Sequence, residues 1–105
     1  MLKGKQDWDP EIIGKVRKYA EAEKYRLTEH ALDRLRQRIF ELGDVVYVLR
    51  HGYHEKEKTL FNTKTQCWNY AIRGKTPDNT EARIVVAFEK DMIIITAIRL
   101  TKRKK

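Results

Sequence analysis

Apolar residues recur at helical spacing through the first half of the chain and in alternating or unbroken runs through the second. Ile12, Val16, Tyr19 and Ala20 fall three and four apart. Asp9 followed by Pro10 supplies a cap and a first helical residue. This predicts a first helix running to about Lys24, then a short strand-like link from Tyr25 to Leu27. Thr28 can cap a second helix, and Glu29 suits its positive end. Leu32, Leu35 and Ile39, with Ala31 beside them, form its apolar side, and it should end near Phe40.

Residues 44–52 carry two signals. Val45, Val46, Tyr47, Val48 and Leu49 have strand propensity. Asp44 can cap a helix, Val45, Val48 and Leu49 share a helical face, and Gly52 can terminate it. The reading favours a short third helix. Four strands follow, at about residues 53–60, 67–73, 82–89 and 92–99. The runs at 84–88 and 93–95 are continuously apolar, as in central strands covered on both faces. Pro77, Asp78 and Asn79 mark a loop, and Lys90 and Asp91 a tight hairpin turn. Helices first and strands afterwards give an α+β domain, with N-terminal helices packed on a mostly antiparallel four-stranded sheet. The expected domain covers residues 1–100, followed by a basic tail at 101–105.

At 105 residues the chain holds one modest core. Hydrophobic residues at 41% and charged residues at 36% fit a compact protein with a charged surface, not a disordered one. The net charge of +8 suits an anionic partner: nucleic acid, an acidic protein or a membrane surface. Half of that excess sits on Lys102, Arg103, Lys104 and Lys105, either a solvated tail or added phosphate attraction. Cys67 is the one cysteine, so no internal disulfide forms and a reducing compartment fits best. Met1 to Pro10 lacks an apolar signal core, and no stretch approaches the ~20 apolar residues of a membrane span. The expectation is a soluble cytoplasmic protein without a membrane segment.

The second helix has a polar side too. His30, Arg34 and Gln37 repeat there, with Arg38 at its margin. Cutting RNA without a metal needs a base for the 2′-hydroxyl, an acid for the leaving oxygen and cations near the phosphate. Histidine transfers protons near neutral pH, and arginine forks match phosphate oxygens. The competing reading is structural: His30 bonded to backbone, and the arginines in ion pairs with Asp33, Glu29 or Glu41. Spacing alone favours that structural reading.

Trp68 and Tyr70 share one strand face, and could stack bases or pack a core; Tyr70 could also carry protons. Arg73 falls on the opposite face unless the strand bulges. His51, His54 and Cys67 do not make a metal motif, and no phosphate-binding glycine loop or nucleophile elbow is present. Glu55 and Glu57, interleaved with Lys56 and Lys58, read as a solvated edge whose lysines could touch RNA. Thr96 interrupts the last apolar run, and either lines a site or satisfies a backbone group, the second being favoured.

Four stretches, TEHALDRLRQR, DVVYVLRHG, CWNYAIRGKT and ARIVVAFEKDMIIITAIRL, recur in an order that resembles a family of small uncharacterised bacterial proteins. That family is similar to the RelE/MqsR-like mRNA interferase toxins, and the resemblance covers roughly residues 15–100. It implies a RelE-like ribonuclease fold, three helices on an antiparallel sheet. It implies metal-independent cleavage of mRNA, in some cases on the ribosome, and silencing by a cognate antitoxin. The family's HA..R..R pattern falls on His30, Ala31, Arg34 and Arg38, its RG strand on Tyr70, Arg73 and Gly74, and its IIT strand on Ile94, Ile95 and Thr96. Ile39 and Phe40 stand where a glycine is common.

The expected function is therefore an endoribonuclease toxin acting by 2′-hydroxyl attack. Its catalytic residues would be His30, Arg34, Tyr70 and Arg73, its RNA-binding residues Arg38, Lys56, Lys58 and Trp68, with no metal or cofactor. The partners would be RNA and an antitoxin protein. A non-catalytic RNA- or protein-binding module with the same basic surface is the alternative.

Overall fold

A computed structural model describes residues 7–101 of the chain. Three helices, α1 (Ile12–Glu21), α2 (Glu29–Arg36) and α3 (Leu42–His51), accompany six strands. The strands are β1 (Tyr25–Leu27), β2 (Tyr53–His54), β3 (Leu60–Asn62), β4 (Cys67–Lys75), β5 (Glu81–Phe88) and β6 (Met92–Arg99). They form one sheet in the order β1-β6-β5-β4-β2, with β3 also paired to β4. All pairings are antiparallel except β1 with β6. The α+β class stands, with six strands in place of the four expected. Among the described residues, no helix is long and apolar enough to cross a membrane. The basic run at 102–105 and the first six residues lie outside the described residues.

The helices start and stop where local chemistry dictates. Asp9 Oδ1 accepts from the Glu11 amide at 2.9 Å in the turn ahead of α1, but the helix begins at Ile12 with Glu11 at its cap position, so Asp9 and Pro10 are not the cap and first helical residue expected. Thr28 caps α2 by accepting from the Ala31 amide at 3.1 Å. The helix reading of residues 44–52 holds, but the cap is Glu41. Asp44 sits inside the first turn, where its carboxylate accepts from the Glu41 amide at 3.0 Å. Both α1 and α2 end in the same C-terminal arrangement. Lys24 and Ile39 donate to Tyr19 and Arg34 carbonyls, while Glu23 and Arg38 take left-handed φ values of 58° and 61°. Arg38 thus occupies the position where glycine is favoured, one residue before the departure from the family pattern.

The predicted strand at 53–60 is broken. After two residues of β2 the chain forms a 3-10 turn at Lys56–Lys58, then resumes as β3. The 53–54 segment pairs at Arg73 and Ile72, and β3 pairs further along the same strand at Asn69 to Cys67.

One row of the register runs Ile72, Ile84 and Ala97, all buried against the helices. The neighbouring row runs Tyr53, Arg73, Arg83 and Ile98 on the other face. Ile12, Val16, Val48 and Leu49 complete the core from the helix side. The apolar runs of β5 and β6 are therefore buried on one face, while Val85, Ile93 and Ile98 on the other stay half-buried. The helices cover one face only, which corrects the expectation of strands covered on both. The end of α3 lies directly on β4. A Cβ on Gly52 would stand 2.4 Å from the Arg73 carbonyl oxygen, and one on Gly74 would stand 3.0 Å from the Gly52 Cα. Gly74 of the RG motif thus serves this backbone contact.

Candidate functional site

β1 stops at Leu27, but β6 continues to Arg99, so β6 would present an unpaired edge beyond Ile94. α2 closes it. The Thr28 hydroxyl donates to the Ile95 carbonyl at 2.7 Å, and Arg34 Nε donates to the Ala97 carbonyl at 3.1 Å. An edge strand's carbonyls need partners, and two side chains of α2 supply them in place of another strand. Ala31 turns the opposite way, into the core.

This placement sorts the arginines of α2. Arg36 makes the expected surface ion pairs, to Asp33 at 2.9 Å and Glu29 at 3.6 Å. Arg34 makes none. Its Nε is tied to backbone, and its two terminal nitrogens have no protein partner among the described residues. His30, one turn earlier on the same side, is exposed and makes no hydrogen bond, ion pair or ring contact among them. Arg38 is exposed beyond the helix end. Thr96 lies on β6 between the two carbonyls that hold α2. Its hydroxyl is buried without a partner among the described residues, so it does not satisfy a backbone group there as expected.

The strand residues lie elsewhere. β4 is continuous from Cys67 to Lys75, so Tyr70 and Arg73 face opposite sides of the sheet. Tyr70 is only 7% exposed, and its hydroxyl accepts from the Asp9 amide at 3.0 Å. Burial raises the Tyr70 pKa above the usual phenol value. Trp68 is half-buried on the same side, its ring centroid 5.4 Å from Trp8 and 5.3 Å from Phe61. Lys56 and Lys58 project from the 3-10 turn into solvent. The structure thus brings His30 and Arg34 together and does not bring Tyr70, Trp68 or Arg73 to them.

Arg73 belongs to a charge network that the sequence reading missed. Glu55, expected on a solvated edge, is 6% exposed. Its carboxylate accepts from Arg83 Nε at 2.6 Å, from Arg83 Nη2 at 3.2 Å and from Arg73 Nη1 at 3.0 Å. Glu81 takes the second terminal nitrogen of Arg73. Hydrogen bonding from Arg83, then from Arg73, outweighs burial and holds the Glu55 pKa below the usual carboxylate range. The signals were present: Arg83 is a charge inside an otherwise apolar run, two strand positions before Val85. What was missing was the register that places it opposite Arg73.

His54, set aside with the metal reading, is also built in. Its ring lies 5.3 Å from Trp8 and 5.5 Å from Tyr70. The Thr59 hydroxyl donates to the Glu55 carbonyl and accepts from the Ala71 amide, so His54 Nε2, at 2.9 Å, is assigned as the donor to it. That leaves Nδ1 unprotonated and buried without a partner among the described residues. Burial, then the nearby Lys56 charge, lowers the His54 pKa below the ordinary imidazole value. His51 instead lies within 3.0 Å of the Tyr47 carbonyl.

Residues 27–99 match the model of a family described as a domain of unknown function, DUF4258. The chain belongs to this family. The DUF4258 segment begins at the last residue of β1 and ends at the last residue of β6, so it contains α2, the β6 edge and the Glu55 network. α1 precedes it. No curated protein and no solved structure matches the chain.

Proposed function

We propose that this DUF4258 protein is an endoribonuclease whose phosphodiester site is the exposed side of α2 along β6. One observation carries the reading: Arg34 is fixed through Nε while its terminal nitrogens meet no partner among the described residues, one helical turn from an exposed His30 that meets none among them either. A guanidinium held in this way presents two parallel donors to a phosphate without having to order itself first. His30 takes the proton of the 2′-hydroxyl as that oxygen attacks the adjacent phosphorus. Arg34 stabilises the charge that grows on the non-bridging oxygens. The P–O5′ bond breaks, the 5′-oxygen takes a proton from solvent, and the products are a 2′,3′-cyclic phosphate and a 5′-hydroxyl. Arg38 adds attraction for a flanking phosphate, and Lys56 and Lys58, toward the opposite edge of the sheet, add only longer-range attraction for the polymer.

The sequence resemblance to RelE/MqsR-like interferases extends this reading to a RelE-like fold and a toxin of a type II toxin–antitoxin system. In that role the protein works in the cytoplasm, its substrate is mRNA, free or on the ribosome, and its second partner is a cognate antitoxin. Purified protein incubated with single-stranded RNA in EDTA is expected to yield cyclic-phosphate ends, and His30→Ala to lose about two to four orders of magnitude in rate while remaining folded. Intact RNA after long incubation, with salt-sensitive binding, would leave only a binding module.

A further inference from the structure

Two cavities meet at Trp68. One, of about 200 Å³, runs from Asp9 and Lys15 to Tyr70 and Phe88. The other, of about 530 Å³, is walled by Asp7, Trp8 and Pro10. Both are lined by Trp68, and both involve residues ahead of or within α1, outside the DUF4258 segment.

We propose that these cavities form a cleft that stacks unpaired bases of single-stranded RNA. The inference rests on the RNA reading for the identity of the polymer and adds the form in which it is bound. The walls include the rings of Trp8, Trp68, Tyr70 and Phe88, and an aromatic ring attracts any base through its π-face. Charged groups stand among the rings: Lys15 Nζ lies over the Phe88 ring, 4.4 Å from its centroid, and Asp9 and Asp7 each line one of the two cavities. A base needs this combination, because its faces are apolar and its edges carry donors and acceptors. Drug-sized ligands occupy pockets of about 300–1,000 Å³, so the smaller cavity suits a single ring system.

The cleft is also preformed. Trp8 and Phe61 hold the Trp68 ring, and the Tyr70 hydroxyl holds the Asp9 amide, so little side-chain order remains to be imposed on binding. None of the cleft's lining residues lies on α2 or β6.

The test uses a 2′-O-methyl RNA hexamer, which cannot undergo 2′-hydroxyl attack. Trp8→Phe leaves Trp68 as the remaining tryptophan of the two in the chain. In that background the single-stranded hexamer is expected to quench tryptophan fluorescence saturably, and the same sequence as a duplex to quench far less. Phe88→Leu should weaken the hexamer roughly fivefold or more. Lys15→Glu, at an exposed position, should weaken it as well and carries the test if Phe88→Leu fails to fold. A flat titration, as from a cleft that takes a protein segment instead, overturns the proposal. So does quenching that both substitutions leave unchanged. RNA cleavage by the wild type with a flat titration sinks the cleft alone. Saturable quenching without cleavage sinks the nuclease reading alone.

Discussion

Arg34 Nε donates to the carbonyl oxygen of Ala97 at 3.1 Å, across 63 residues of sequence. The bond closes an exposed strand edge and fixes a guanidinium in one stroke. In the proposed function, structure and catalysis are therefore coupled at this residue, and substitutions can separate them.

Arg34→Lys keeps a cation but loses the fork, so RNA cleavage should fall at least tenfold while thermal stability drops by about 1 kcal/mol, one hydrogen bond's worth. Arg34→Ala should lose activity further. His30→Ala, at an exposed position, should change stability by no more than about 0.5 kcal/mol. Thermal unfolding beside cleavage rates checks both. A His30→Ala protein of full activity would remove the assignment.

Arg38 holds the left-handed position that ends α2. Arg38→Gly relieves that conformation and is expected to stabilise the protein by up to about 1 kcal/mol. If Arg38 also contacts phosphate, the same variant binds RNA less tightly and shows a shallower salt dependence, reduced by about one ion. Urea unfolding and binding at several salt concentrations measure the two effects separately.

Glu55 is buried between two guanidinium groups. Glu55→Gln leaves Arg83 without its carboxylate, while Arg73 keeps Glu81, and should cost about 3 kcal/mol. The folded Glu55 carboxyl has a pKa below the ordinary value, so its contribution is present above about pH 4.5 and is lost as pH falls through the folded value. Acid unfolding of the wild type should therefore be steeper than that of Glu55→Gln. Equal slopes would show that the network contributes nothing to acid stability.

His54 titrates in a milder range. Its folded pKa is lowered, so below about pH 6.5 the unfolded chain takes up a proton that the folded chain refuses. Stability should decline as pH drops from about 6.5 toward the folded value, then level with respect to this group. Replacement by glutamine, which keeps a donor for Thr59 and does not titrate, should flatten that part of the profile. Denaturant unfolding between pH 7.5 and 5 makes the comparison.

Much of the fold was legible in order along the chain. The cap at Thr28, the apolar spacing of α1 and the long strands β5 and β6 come from local rules of period and capping. The misplaced features are those that depend on a neighbour. Glu55 looked like one of a solvated pair because alternating charge is the usual mark of an edge. Only its position against Arg73 and Arg83 makes burial tolerable. Tyr70 and Arg73 are three apart on a straight strand, so their opposite faces were readable. Which face the helices cover was not.

By itself the sequence determined the periods: where helices and strands form, that Trp68 and Tyr70 share a side, and that His30 and Arg34 lie one turn apart. Only the tertiary structure decided what each side meets. It laid α2 along the open edge of β6, sent Tyr70 into the core and enclosed Glu55 between arginines. The reason is physical. Local period fixes the relative direction of side chains within one element, whereas burial, pairing and charge compensation depend on contacts between residues far apart in the chain.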